Sequence, residues 1–169
     1  ILYIFLPAFV ANATPVVCGG LNLLPQLAVP IWPSFLGSNK TWRGLILGVL
    51  MAVLCGLIIH LLSQQGMVSI SIQPYATLAM SLISGLLLGV GALVGDIAKS
   101  AFKRCLGFPP GSAFPVVDGI DYMVGAIIFF WLIYQPTAIE IIILLVVGPL
   151  ASLSANCASY CLGWKQVWY

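Results

Sequence analysis

The sequence predicts an all-α integral membrane protein with five transmembrane helices. Of its 169 residues, 62% are hydrophobic and only 6% are charged. A soluble domain carries about 25% charged residues, so this composition excludes a soluble globular protein. Disordered chains have low hydrophobicity and high charge, so the composition also excludes a disordered protein. The apolar stretches lack the alternation of barrel strands, and only helices or closed barrels satisfy the backbone in lipid.

Five apolar stretches approach the roughly 20 residues that a helix needs to span a bilayer. They cover residues 1–21, 45–62, 76–94, 122–134 and 139–162. Pro7 and Pro15 are expected to break the first stretch. The fourth stretch approaches spanning length only if polar residues at its start are included. No repeat or linker divides the chain, so residues 1–169 are expected to form a single transmembrane domain.

The basic residues predict the orientation of the chain. If it crosses the membrane five times, all six fall on one side: Lys40, Arg43, Lys99, Lys103, Arg104 and Lys165. The positive-inside rule makes that side cytoplasmic, with the N-terminus outside and the C-terminus inside. We therefore expect a multi-pass protein of the plasma membrane. A net charge of +2 is too small to suggest nucleic acid as a partner.

Glycines four residues apart predict close helix packing. Such pairs occur at Gly44 and Gly48, at Gly85 and Gly89, and at Gly91 and Gly95. Small residues at this spacing let membrane helices approach closely. Packing within one chain explains them at least as well as a dimer interface, so a homo-oligomer stays open.

The most informative stretch is residues 95–122, which holds three of the four acids and three of the six bases. Asp96, Lys99 and Lys103 stand at i, i+3 and i+7, so they share one face if the third helix continues through them. A cluster of this density in an otherwise uncharged chain indicates function, because ionisable groups at a membrane boundary are expensive. An interfacial salt-bridge cluster is the alternative.

A turn and a second acidic helix end are expected to complete this cluster. Residues 107–111 suit a type II turn, which would reverse the chain. Asp118 and Asp121 are three residues apart, so a helix beginning there would turn both carboxylates one way.

Three carboxylates that converge with several cations describe a metal–phosphate site. Mg²⁺ is commonly held by one or two carboxylates plus substrate phosphates, which makes Asp96, Asp118 and Asp121 candidate ligands. Lys99, Lys103 and Arg104 are candidates for binding phosphate oxygens.

A second basic cluster precedes the second apolar stretch. Its candidate phosphate-binding residues are Ser38, Asn39, Lys40, Thr41 and Arg43. Backbone amides that open a helix favour anions. Ordinary positive-inside anchoring, with Trp42 as an interfacial aromatic, is an equally good interpretation.

These motifs resemble one known family. The matching segments are S-N-K-T-W-R-G at 38–44, G-D-x-x-K-S-x-x-K-R at 95–104, F-P-P-G at 108–111 and F-P-x-x-D-x-x-D-Y at 114–122. Weaker matches are P-A-F-V-A-N-A at 7–13 and N-x-x-x-Y-x-L-G-x-K at 156–165. The chain is similar to the CDP-archaeol synthases, short five-helix relatives of the phosphatidate cytidylyltransferases.

The resemblance implies a Mg²⁺-dependent transfer of the cytidylyl group of CTP to digeranylgeranylglyceryl phosphate, giving CDP-archaeol and pyrophosphate. The active site would lie on two cytoplasmic loops, with catalytic residues Asp96, Lys99, Lys103, Asp118 and Asp121. Two rivals stay open. A CTP-dependent polyprenol kinase would release CDP instead of pyrophosphate, and a small transporter would use the charged cluster as an ion site.

Overall fold

Helices account for the regular secondary structure of the described residues, which are 1–66, 73–109, 119–165 and 167 of a computed structural model. The α-helices are α1 (Leu2–Gly20), α2 (Pro33–Leu36), α3 (Trp42–Gln64), α4 (Leu78–Cys105), α5 (Asp121–Phe130) and α6 (Ala138–Cys161). Short 3₁₀ turns cover Pro25–Leu27 and Gln73–Tyr75. In this described part of the chain, α1, α3, α4 and α6 are long and apolar enough to cross a membrane. The predicted class, a helical multi-pass membrane protein, is confirmed at this level.

The fourth predicted span is much shorter than the other four. Helix α5 has only ten residues, which span about 15 Å at 1.5 Å per residue. Backbone hydrogen bonds from Trp131 N to Ile127 O and from Tyr134 N to Phe130 O continue its last turn. The helix starts at Asp121, with Ile120 at its N-cap, and Asp118, where a helix was expected to begin, lies outside the described residues.

Helix α1 is continuous through both prolines, contrary to the expected break. Pro15 has no amide hydrogen, so it leaves the carbonyl of Ala11 without its usual partner four residues later. That carbonyl faces Gly48 of α3, where an added Cβ would lie 3.1 Å from the Ala11 oxygen. The missing side chain of Gly48 gives the altered helix room to pack, so the neighbouring helix accommodates the proline.

Helix α4 continues through Asp96, Lys99 and Lys103, as their spacing predicts. Its 28 residues span about 42 Å, which exceeds the hydrocarbon thickness of about 30 Å. The charged end of α4 can therefore reach beyond the apolar layer while the rest stays in it.

Glycines bring α4 against α3 on one side and α5 on the other. A Cβ at Gly85 would lie 2.7 Å from the carbonyl oxygen of Ala52 in α3. A Cβ at Gly91 would lie 2.6 Å from that of Gly125 in α5. The predicted small-residue faces thus pack helices of one chain, and the buried core, including Phe5 and Phe130, fills the space beside them.

We expect Gly125→Ala to destabilise the helix bundle. The added Cβ would lie 2.2 Å from the Gly91 carbonyl oxygen, so backbones must separate. Overpacking of this kind costs about 1–3 kcal/mol, or a fall in Tm of roughly 2–10 °C. Tryptophan fluorescence during thermal unfolding in detergent measures it.

The matched control is Gly148→Ala in α6, where the nearest contact of an added Cβ is an ordinary 3.5 Å. Its Tm should stay within about 2 °C of the parent, since alanine also favours helix. An unchanged Tm in Gly125→Ala would contradict the close approach of α4 and α5.

Candidate active site

A closed loop before α3 positions Lys40. Its two ends are joined by backbone hydrogen bonds from Ile31 N to Lys40 O, at 2.8 Å, and from Trp42 N to Val29 O, at 3.0 Å. The loop contains α2, whose Leu36 is buried and anchors it to the bundle. Lys40 is therefore held at the N-terminal end of α3 by backbone pairing.

The N-terminus of α3 is capped from within the chain. The Thr41 hydroxyl accepts a hydrogen bond from Gly44 N at 3.2 Å, and Trp42 N donates to Val29 O. Two of the amides that could have bound an anion already have partners. The phosphate-binding capacity predicted for this segment therefore rests mainly on side chains.

Four charged side chains from three parts of the chain form a row of ion pairs. Lys40 Nζ lies 2.5 Å from Asp96 Oδ2, and Lys99 Nζ lies 3.2 Å from Asp96 Oδ1. Lys99 Nζ also lies 2.7 Å from Asp121 Oδ2. We call Lys40, Asp96, Lys99 and Asp121 the ion-pair row. Its charges alternate, so each is compensated by a neighbour.

The burial of these side chains makes their pairing important for the stability of the protein. The Asp121 side chain is 5% exposed and that of Lys99 is 12% exposed, whereas Asp96 and Lys40 keep 21% and 22%. Charges removed from water pay a desolvation cost that only good pairing offsets. The row therefore runs from a buried end at Asp121 to a more open end at Lys40.

Gly95 explains why α5 contributes to the row. A Cβ there would lie 2.3 Å from the Asp121 carbonyl oxygen, so only glycine lets the start of α5 approach this closely. The i, i+3 spacing places Asp96 and Lys99 on one face of α4, where Lys99 Nζ lies 3.2 Å from Asp96 Oδ1. The sequence Gly95–Asp96 thus supplies both a carboxylate and the room for a second one.

A small open cleft lies beside Asp96 and Lys40. Its lining mixes apolar and polar residues: Pro15, Ile31, Asn39, Lys40, Thr41, Gly44, Leu45, Leu93, Asp96 and Ile97. Ligand sites combine an apolar lining with a few placed polar groups, and this cleft has that character.

The donor set fits a hard cation held by two carboxylates. Asp96 and Asp121 supply oxygen ligands of the type that Mg²⁺ prefers. Asp121 Oδ2 is buried and accepts no well-directed hydrogen bond, although Lys99 lies close enough for an ion pair. Within the described residues, no three Asp, Glu, His or Cys side chains gather. The third predicted ligand, Asp118, lies outside the described residues, as does the end of the predicted turn at 107–111.

Two predicted phosphate-binding arginines donate to backbone carbonyls. Arg43 Nη1 donates to Leu23 O at 3.1 Å, just beyond the end of α1. Arg104 Nη1 donates to Phe108 O, after the end of α4. Among the described residues, Lys40 and Lys99 pair with Asp96 and Asp121, whereas Arg43 contacts Leu23.

The remaining predicted residues lie on α4 or on the loop that carries Lys40. Lys103 is buried one helical turn beyond Lys99 on α4. Asn39 and Thr41 line the cleft, and Ser38 is exposed on the same loop.

Sequence reasoning missed the part played by Tyr122. This residue is fully buried, and its hydroxyl donates to Gly148 O at 2.9 Å. A tyrosine in an apolar helix could have indicated this contact, because a buried phenol needs a hydrogen-bond partner.

Comparisons with known proteins agree with one another. The model of a family described as CarS-like, CDP-archaeol synthase, matches residues 1–169. The CDP-archaeol synthase of Thermococcus onnurineus is 34% identical over 165 residues, which is 96% of this chain and 91% of that protein. That of Methanocaldococcus jannaschii is 33% identical over 174 residues, covering 99% and 95%. A solved structure described as an intramembrane enzyme for archaeal membrane lipids biosynthesis superposes with a TM-score of 0.72 at 29% identity, covering 92% and 91%.

We expect Lys99→Met to destabilise the protein strongly. It leaves Asp121 buried without its cation, and breaking a buried pair in this way costs about 3–5 kcal/mol. Adding Asp121→Asn removes the uncompensated charge and should restore at least about half of the loss. Thermal unfolding in divalent-free detergent buffer measures both variants.

The control is Arg43→Met, because Arg43 donates to the neutral backbone carbonyl of Leu23 at 3.1 Å. A neutral-acceptor contact of this kind is worth about 1 kcal/mol. If the double variant were no more stable than Lys99→Met, the ion-pair row would not be a coupled unit.

Proposed function

Because the chain belongs to the CDP-archaeol synthase family, we propose that it transfers the cytidylyl group of CTP to digeranylgeranylglyceryl phosphate. The products are CDP-archaeol and pyrophosphate, in the biosynthesis of archaeal ether lipids. The family match covers residues 1–169. The observation that carries the proposal is the ion-pair row, a charged site at one end of a bundle of apolar helices.

The reaction needs positioning and charge more than a protein nucleophile. A phosphate oxygen of the lipid attacks the α-phosphorus of CTP, the bond to the α–β bridging oxygen breaks, and pyrophosphate leaves with that oxygen. The attacking oxygen is already anionic, so no Ser, Cys or His has to activate it. The work of the protein is to align two polyanions and stabilise the charge of the moving group.

The lysines supply the charge that the phosphates require. Lys40 and Lys99 are paired with carboxylates at 2.5 to 3.2 Å and can exchange these partners for phosphate oxygens. Lys40 comes from the loop before α3 and Lys99 from α4, so they contact a ligand from two sides. Lys103 extends the basic face by one turn of α4.

We assign Mg²⁺ to the carboxylates of the row. Asp96 and Asp121, with Asp118 as the third predicted ligand, would hold it. When bound, the ion neutralises phosphate oxygens and polarises the phosphoryl group. The fit rests on the hard oxygen donors and on the buried Asp121 oxygen that lacks a directed hydrogen bond.

Contacts between helix ends support a five-pass topology. The ring of Trp164, after α6, packs on Gly20 at the end of α1, and Arg43 at the start of α3 donates to Leu23. Lys40 joins the start of α3 to the C-terminal half of α4. The C-terminal ends of α1, α4 and α6 thus gather with the N-terminal ends of α3 and α5, so α5 must lead away from this end and α6 must return to it.

The charges and the substrates support a cytoplasmic site. CTP is a soluble cytosolic nucleotide, and every Lys and Arg falls on the side of the ion-pair row. The N-terminus is then outside, and the protein lies in the plasma membrane. The lipid phosphate reaches the row from the bilayer, with its tails between the apolar helices.

Product analysis with purified protein tests the reaction. With labelled CTP and the lipid phosphate, we expect CDP-lipid and pyrophosphate in equal amounts. Asp121→Asn should lower turnover at least about a hundredfold, which corresponds to ~2.7 kcal/mol of transition-state stabilisation. Release of CDP would instead indicate a kinase, and no consumption of CTP would remove the enzymatic proposal.

The matched control is Glu140→Gln, an acid at the opposite end whose carboxylate accepts hydrogen bonds from Thr137 and Tyr134. Its turnover should stay within about threefold of the parent. Comparable losses in both variants would argue against Asp121 as a site residue.

Cysteine labelling tests whether α5 crosses the membrane. One variant keeps only the exposed native Cys105, the last residue of α4, and another has Gln135→Cys as its single cysteine, between α5 and α6. An impermeant maleimide should label them from opposite sides of intact vesicles. Labelling from the same side would mean that α5 does not cross the membrane, because both of its ends would then lie on one side.

A further inference from the structure

Tyr122 directly follows the carboxylate at the buried end of the ion-pair row. Its side chain is 0% exposed, and its ring meets Phe9 of α1 edge-on, with centroids 6.1 Å apart. The hydroxyl donates to the carbonyl of Gly148 in α6 at 2.9 Å. This hydrogen bond links the first turn of α5 to a helix that contributes no charge to the row.

A second contact holds the same two segments together. A Cβ added to Gly119 would lie 2.7 Å from Cα of Pro149, so the backbone before α5 rests directly on α6. Helix α6 has few buried positions, which are Leu144, Gly148 and Ser159 among its described residues. One of these three is the partner of Tyr122. The junction with α5 is therefore one of the places where α6 is held to the bundle.

Asp121 is thus held from two directions. Gly95 of α4 packs against its carbonyl oxygen, and Tyr122 fixes the adjacent residue to α6. With the backbone fixed on both sides, the carboxylate reaches Lys99 at 2.7 Å. A shift of the first turn of α5 would change that distance directly.

We propose that Tyr122 is a positioning residue for the transfer reaction. Its hydroxyl fixes the first turn of α5 against Gly148 and so sets the place of the Asp121 carboxylate in the site. Tyr122 acts through Asp121 and needs no contact with either substrate. The inference rests on the proposed function, because it assigns Asp121 to the reacting site.

The test compares two tyrosines that differ mainly in location. Tyr75 is also fully buried, at 1% exposure, and its hydroxyl also donates to a backbone carbonyl, that of Ile4, at 2.6 Å. It precedes α4, whereas Asp96 lies 18 residues into that helix, about 27 Å away along the axis. Tyr122→Phe and Tyr75→Phe remove the same group from the same kind of hydrogen bond.

Both variants should lose a similar few degrees of Tm in detergent. Only Tyr122→Phe should lose kcat, by about tenfold to a hundredfold, because a displacement of about 1 Å in a site can cost a hundredfold. Its KM for CTP should change by less than about threefold, since the lysines stay in place. A purely structural role predicts equal effects on kcat in the two variants.

The outcomes separate this inference from the proposed function. If the parent protein forms no CDP-lipid, the proposed function fails. If the parent is active and Tyr122→Phe keeps its kcat, or loses no more than Tyr75→Phe, the positioning role is refuted. Should Tyr122→Phe not purify as a monodisperse protein, Gly119→Ala takes its place, because the added Cβ pushes the same segment away from Pro149. Normal kcat in Gly119→Ala then refutes the inference, and the same selective loss supports it.

Discussion

The ion-pair row constrains the rest of this structure. It contains two of the six basic and two of the four acidic side chains of the chain. Charges at a membrane boundary carry a high desolvation cost unless they are paired. The fold must therefore bring these four side chains together. The loop before α3, the C-terminal half of α4 and the start of α5 are held at one end of the bundle by that requirement.

The formal charge of the row also bears on how a ligand enters it. Two lysines and two aspartates sum to zero, so a triphosphate that takes the lysines leaves two carboxylates uncompensated. On the proposed function, a divalent cation that arrives with the nucleotide would offset these two carboxylates, whereas the nucleotide alone would not. On the proposed function, we therefore expect the metal and CTP to bind together.

Local rules explain what the sequence could predict, and contacts between distant segments explain what it could not. Composition identified the membrane helices, and the i, i+3 spacing placed Asp96 and Lys99 on one face of α4. The continuity of α1 through Pro15 depends on Gly48 of another helix. The diversion of Arg43 to Leu23 depends on where α1 ends. Both features depend on contacts between segments that are distant in the sequence, so local sequence patterns could not predict them.

Lipid tails are as apolar as the helices, so burial of apolar surface gives this bundle little drive to hold a precise arrangement. Close backbone contacts and buried hydrogen bonds must do so instead. At the site these are Gly95 against Asp121, Gly119 against Pro149, and Tyr122 on Gly148. Attraction between charges can pull Asp121 toward Lys99 but does not fix its backbone. The position of the Asp121 backbone therefore depends on the uncharged residues around it.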